Sequence, residues 1–252
     1  MPETSHMDQH PFVFLPKPLR LNVTRAHSCT YLPDRVERRL AADISNRPDL
    51  HDKLAQAGFR RVENWVYKPA CQDCNACQPI RVICSEFSKS RNMKRIAAKH
   101  ADLRGYRVDG PLTHEHYELF HRYLNSRHED GQMVGMTMDE FVSMVENSPI
   151  STFLLDYRDE KNELMASVLV DHQVDGLSAV YSFFEPDSQE RSFGSFIILD
   201  LIERVNLAQQ PYLYLGYYIA ESRKMSYKAR YTPYEIFHNG SWQRSVDPRT
   251  IK

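Results

Sequence analysis

No stretch of the chain approaches the ~18 consecutive apolar residues of a membrane span. Behind its start, Met1–Arg20 has no apolar segment following basic residues, so no secretory leader is expected. Repeats and low-complexity tracts are missing. Excess positive charge is missing too: 32 Lys and Arg face 33 Asp and Glu, a net charge of −1, with a pI near 6.8. A protein that holds nucleic acid by bulk charge is more basic, so any RNA contact must come from local patches. Cysteines number five, an odd count, and Cys71, Cys74 and Cys77 fall within seven residues. That is no disulfide framework, and a reducing cytoplasm is the expected setting.

What is present suits a soluble globular protein of one large or two small domains: 252 residues, 42% hydrophobic and 26% charged. Pro2, Pro11, Pro16 and Pro18 make residues 1–20 an irregular segment. Arg35–Leu54 reads as helix broken by Pro48, and Phe59–Tyr67 as one strand. Ile80–Ile83 is a short strand, and Lys89–Arg104 a basic helix ended by Gly105. A domain boundary near residue 105 separates residues 21–105 from 106–240, with 241–252 as a tail. In the second half, helices over Thr113–Ser126 and Met138–Asn147 precede strand-like runs at 151–157, 164–171 and 177–184. An amphipathic helix over Phe193–Ala208 and a strand over Pro211–Tyr217 complete an α+β order. This order resembles the acetyltransferase-like (GNAT) core.

Four features can carry chemistry. Cys71, Cys74 and Cys77 at two-residue gaps let one loop place several thiolates on a soft metal, zinc or an iron–sulfur cluster, with Cys29 or Cys84 as fourth ligand. Free structural cysteines are the bland alternative. From Lys89 to Arg107 seven cations face one acid, Asp102. Lys89, Arg91, Lys94, Arg95 and Lys99 are candidates for meeting RNA phosphates, unless they are only a solvated face. Arg191-Ser192-Phe193-Gly194 opens a helix as a phosphate-binding turn does, though Gly194 could simply allow close packing. Tyr214–Glu235 interleaves aromatics with cations, which suits bases or an acidic peptide.

Five blocks then fall in order: Cys29-Thr30-Tyr31-Leu32-Pro33; Gly58-Phe59-Arg60-Arg61; Tyr67-x-Pro69-x-Cys71-x-x-Cys74-x-x-Cys77-x-Pro79-x-Arg81-Val82; Tyr181-x-Phe183-Phe184-x-Pro186-Asp187; and Tyr214-x-Gly216-Tyr217-Tyr218-Ile219-x-x-Ser222-x-Lys224-Met225-x-Tyr227-Lys228. Together they resemble the arginyl-tRNA–protein transferase family, most of all its bacterial aspartate/glutamate leucyltransferase branch. The resemblance implies a cytoplasmic enzyme of the N-degron pathway. It would move leucine from leucyl-tRNA to proteins beginning with Asp or Glu, marking them for degradation. It also implies an N-terminal cysteine-bearing domain and a C-terminal GNAT-like domain. The aminoacyl ester is already activated, so no cofactor is required and positioning supplies much of the rate. Glu185, Asp187 and Glu221 are candidate bases for the acceptor amine. Arg191, Tyr217, Tyr218, Arg223, Lys224, Tyr227 and Lys228 are candidate substrate-binding residues, the cations for the acceptor's carboxylate. The alternatives are an arginyl-transferring enzyme, an acetyl-CoA-dependent N-acetyltransferase and a non-catalytic metal-bearing RNA-binding protein.

Overall fold

The computed structural model describes residues 18–108, 110–127, 133–186 and 191–245. Early in the chain, Val36, Leu40, Ala42 and Ile44 recur at even spacing, the period of a strand. The backbone follows that period through β1 (Asn22–Val23), β2 (His27–Ser28), β3 (Val36–Glu37) and β4 (Arg39–Asp43). Helix begins only at α1 (His51–Gln56), after Pro48 opens a 3-10 turn. The helix expected over Arg35–Leu54 is thus mostly strand. Burying Ala42 and Ile44 against Phe59 and Val66 outweighs the helix-forming residues around them. The single strand expected over Phe59–Tyr67 is a hairpin of β5 (Arg60–Val62) and β6 (Trp65–Pro69), turned at Glu63, whose φ is 49°. Four of these strands form a sheet in the order β1-β4-β6-β5, and β2 pairs with β3 apart from it.

The chain continues with β7 (Gln78–Ile83), α2 (Arg91–Ala98), β8 (Arg104–Val108), α3 (His114–Arg127), α4 (Met138–Glu146), β9 (Thr152–Arg158), β10 (Leu164–Gln173) and β11 (Gly176–Phe184). Then come α5 (Phe193–Leu207), β12 (Tyr212–Tyr218), β13 (Tyr234–His238) and β14 (Ser241–Ser245). An eight-stranded sheet runs β14-β13-β7-β12-β11-β10-β9-β8. It draws on both sides of residue 105, since β7 lies between β12 and β13. Ser241–Ser245, read as the start of a tail, pair with β13. The basic helix stops at Ala98, short of Arg104, because the chain turns to bury His100, whose ring stacks on Phe196 at 4.2 Å.

The expected meander is present as β9-β10-β11, all antiparallel, and α5 then crosses to β12, parallel to β11. One sheet face packs Val168 and Val170 on Ile197, Leu201 and Val205 of α5. The alternate residues Leu154 and Leu169 meet Phe120 and Phe141 of α3 and α4. Two layers of helix around one sheet, with a second small sheet at its side, make the fold α+β as expected. A buried ion pair ties the two sheets: Arg61 Nε and Nη2 reach the Asp171 carboxylate at 2.8 and 2.5 Å.

Candidate active site

The parallel pairing of β11 with β12 lasts only three residues, Gly176–Ser178 against Tyr212–Tyr214. Beyond it Arg60, from the small sheet, reaches the parting strands. Its Nη2 donates to the carbonyl of Ala179 at 3.2 Å. Its Nη1 lies where a side chain at residue 216 would be, 1.9 Å from an ideal Cβ, so only glycine fits there, at φ 84°. Nη1 is buried and donates to nothing.

Lys228, in the 3-10 turn Ser226–Arg230, comes to the same place from the other side. It is 9% exposed. Its Nζ donates to the carbonyl of Tyr217 at 2.8 Å and lies 3.7 Å from Met225 Sδ. Burial, reinforced by the Arg60 guanidinium, lowers its pKa to about 7. Among the described residues neither cation is paired with a carboxylate. Half-buried Tyr227 feels the same guanidinium, and burial raises its phenol. Tyr217 is buried at the end of β12, with its hydroxyl donating toward the carbonyls of Tyr67 (3.0 Å) and Gly58 (3.2 Å).

The structure brings Tyr217, Tyr227 and Lys228 together and leaves other predicted residues apart. Arg223 and Lys224 are exposed on the turn after β12. Arg191 is held by Asp102 at 2.6 and 2.9 Å and by the Lys99 carbonyl. Glu185 pairs with Arg122 at 3.0 Å. Glu221 is exposed and near the Tyr218 phenol, which burial and that carboxylate both push up. Asp187 lies outside the described residues. Arg91, Lys94, Arg95 and Lys99 are exposed, while Met93 and Ile96 of α2 pack on the core, and Lys89 pairs with Glu203.

Cys29, Cys71, Cys74 and Cys77 line one cavity, whereas Cys84 is buried in the large-sheet core. Burial and the three neighbouring thiols push Cys77 up to about 12, because closely set thiolates oppose one another's ionisation. As a donor set, four thiols suit a soft metal. As placed, no group of three or more His, Cys, Asp or Glu among the described residues is spaced to hold a metal ion. The same cavity contains Arg39 and also Glu37, which the motif reading missed. Arg60 stood in a quoted block without a role, and its position depends on strands 119 residues away.

The family description "Arginine-tRNA-protein transferase, N terminus" matches residues 27–95, and its C-terminus counterpart matches residues 115–238. The chain belongs to this family and is an aminoacyltransferase. It is 44% identical over 230 residues to the aspartate/glutamate leucyltransferase of Granulibacter bethesdensis, covering 90% of this chain and 86% of that one. The aspartate/glutamate leucyltransferase of Caulobacter vibrioides is 44% identical over 243 residues (94% and 86% covered). That of Paramagnetospirillum magneticum is 42% identical over 240 (94% and 97%). Solved structures overlay loosely: FemX matches at a TM-score of 0.43 and 9% identity over 79% of each chain, a likeness on which nothing further rests. No helix among the described residues is long and apolar enough to cross a membrane.

Proposed function

We propose that the protein transfers leucine from leucyl-tRNA to the N-terminal α-amine of proteins beginning with Asp or Glu, as an N-degron enzyme of the cytoplasm. The observation carrying this reading is the pair of buried Lys228 and half-buried Arg60, two cations sharing a site and, among the described residues, paired with no carboxylate. Burying like charges together is costly unless an anion joins them. The side chain of an acceptor's first Asp or Glu is such an anion. The names of the relatives point the same way.

In this reaction the acceptor's neutral α-amine attacks the carbonyl carbon of the aminoacyl ester. A peptide bond forms, the tRNA terminal hydroxyl leaves, and one amine proton is lost. The ester supplies the activation, so the protein's part is alignment and acceptance of that proton. Glu185, Asp187 and Glu221 are the candidate acceptors. The exposed cations of α2 suit the tRNA backbone. Catalysis calls for no cofactor. Cys29, Cys71, Cys74 and Cys77 are the residues that would hold zinc or an iron–sulfur cluster in a structural role, which elemental analysis of active protein tests. The function itself is tested by offering Asp- and Asn-initiated peptides with leucyl- and arginyl-tRNA. Leucine is expected on the Asp peptide. Equal use of Asp and Asn would defeat the carboxylate reading, and transfer of arginine alone would move the chain to the other branch.

A further inference from the structure

Glu37 is a second buried charge, and it lines a cavity together with Tyr217. It is 7% exposed. Its Oε1 accepts from Arg39 Nε, while Oε2 is buried and accepts from nothing. It lines the thiol-bearing cavity. Most of the remaining wall is apolar or aromatic: Tyr31, Leu32, Val36, Tyr67, Pro69 and Tyr217. Arg39 also lies over the Tyr67 ring at 4.9 Å, which fixes the carboxylate it holds. A buried acceptor without a donor marks a place where a ligand's donor completes the bond.

We propose that the free oxygen of Glu37 binds the α-ammonium of the leucyl group on the donor tRNA, while the apolar wall receives the leucine side chain. This rests on the leucyl-transfer reading above. The chemistry distinguishes the two substrates. A leucyl ester presents an ammonium beside a branched alkyl chain, and the cavity offers a carboxylate beside an apolar wall. An acceptor beginning with Asp or Glu would bring a second carboxylate towards Glu37, and like charges in a buried site repel. Tyr217 joins the two subsites: its ring borders this cavity and its carbonyl takes the Lys228 ammonium. The donor's positive charge and the acceptor's negative charge would then both be read next to one residue.

The test compares leucyl-tRNA with tRNA carrying the α-hydroxy analogue of leucine, which keeps the side chain and loses the ammonium. Wild-type protein is expected to use the analogue roughly tenfold less well or worse in kcat/KM, as befits a charge-assisted bond. Glu37→Gln is expected to raise the KM for leucyl-tRNA by a similar factor, to lose the discrimination, and to leave the KM of the Asp peptide unchanged. A loss confined to the peptide KM would assign Glu37 to the acceptor and overturn the proposal. So would a fall in bound metal with donor kinetics intact, which would make Glu37 a ligand of the thiol site. If the variant does not fold, the wild-type comparison decides alone, and equal use of both donors overturns the inference. No leucine transfer by wild-type protein from either donor would overturn the functional reading itself.

Discussion

Two groups of cations in this molecule differ in what surrounds them. Arg91, Lys94, Arg95 and Lys99 are exposed on and beside α2. Arg60 and Lys228 are held where β11 and β12 part, with backbone carbonyls as their main partners. A solvated cation attracts any polyanion and falls off with salt; a buried one gains only when a particular anion replaces the water it lost. The first group therefore suits a long phosphate backbone, and the second a single carboxylate.

Reversing the outer group should give the largest effect. Changing Lys94, Arg95 and Lys99 to Glu is expected to weaken tRNA binding about a hundredfold at low salt, with a salt slope shallower by roughly two to three counterions. Asp/Asn discrimination among bound complexes should be unchanged. Filter binding over a salt series measures the first, and unchanged affinity with fold retained would remove α2 from the tRNA site.

Removing an inner cation should do the opposite. Lys228→Met is expected to cut the preference for Asp over Asn peptides by roughly tenfold or more, with tRNA affinity intact. Its pKa adds a sign that can be checked. Burial and Arg60 lower Lys228 to about 7, so in the folded protein its charge is lost as pH rises through about 7. The unfolded chain keeps that proton to ~10.4, so it binds more protons across this window and the contribution of Lys228 to stability rises with pH. Carboxylate binding needs the charged form. The KM of the Asp peptide should therefore rise several-fold as pH climbs past about 7, even while the acceptor amine, titrating near ~7.7–8.0, becomes a better nucleophile. Lys228→Met should flatten the KM profile.

The outer group was readable from the chain and the inner one only in its Lys228 half, for a physical reason. Seven cations in one segment are visible in any window, and so are the alternating runs that became β9, β10 and β11. The blocks around Tyr217 and Lys228 were likewise visible. Arg60 acquires its place only through Ala179 and Gly216, far off in sequence. Glu37 was hidden because Arg35–Leu54 was read with a helical period although its apolar residues recur at even spacing. Cys29 and Cys84 were equivalent as fourth thiol until packing put Cys84 in the sheet core and Cys29 beside the triplet. Arg191 looked available, yet Asp102, eighty-nine residues away, holds it.

The smallest expected effect belongs to cations that sequence proximity grouped with Lys228. Arg223 and Lys224 lie five and four residues before it, and motif reading gave all three one task. They are exposed, while Lys228 is buried. An exposed ion pair is worth about 0–1 kcal/mol, since water competes for both partners and two long side chains must be ordered. The Arg223→Ala, Lys224→Ala double variant should therefore shift the Asp-over-Asn preference by no more than about fivefold at physiological salt, and less when salt is raised. Competition assays with paired Asp and Asn peptides resolve that difference. If the double variant lost as much discrimination as Lys228→Met, the acceptor's carboxylate would be read at the exposed turn after β12. The buried pair would then serve the fold, and the contrast drawn between inner and outer cations would fail at its functional end.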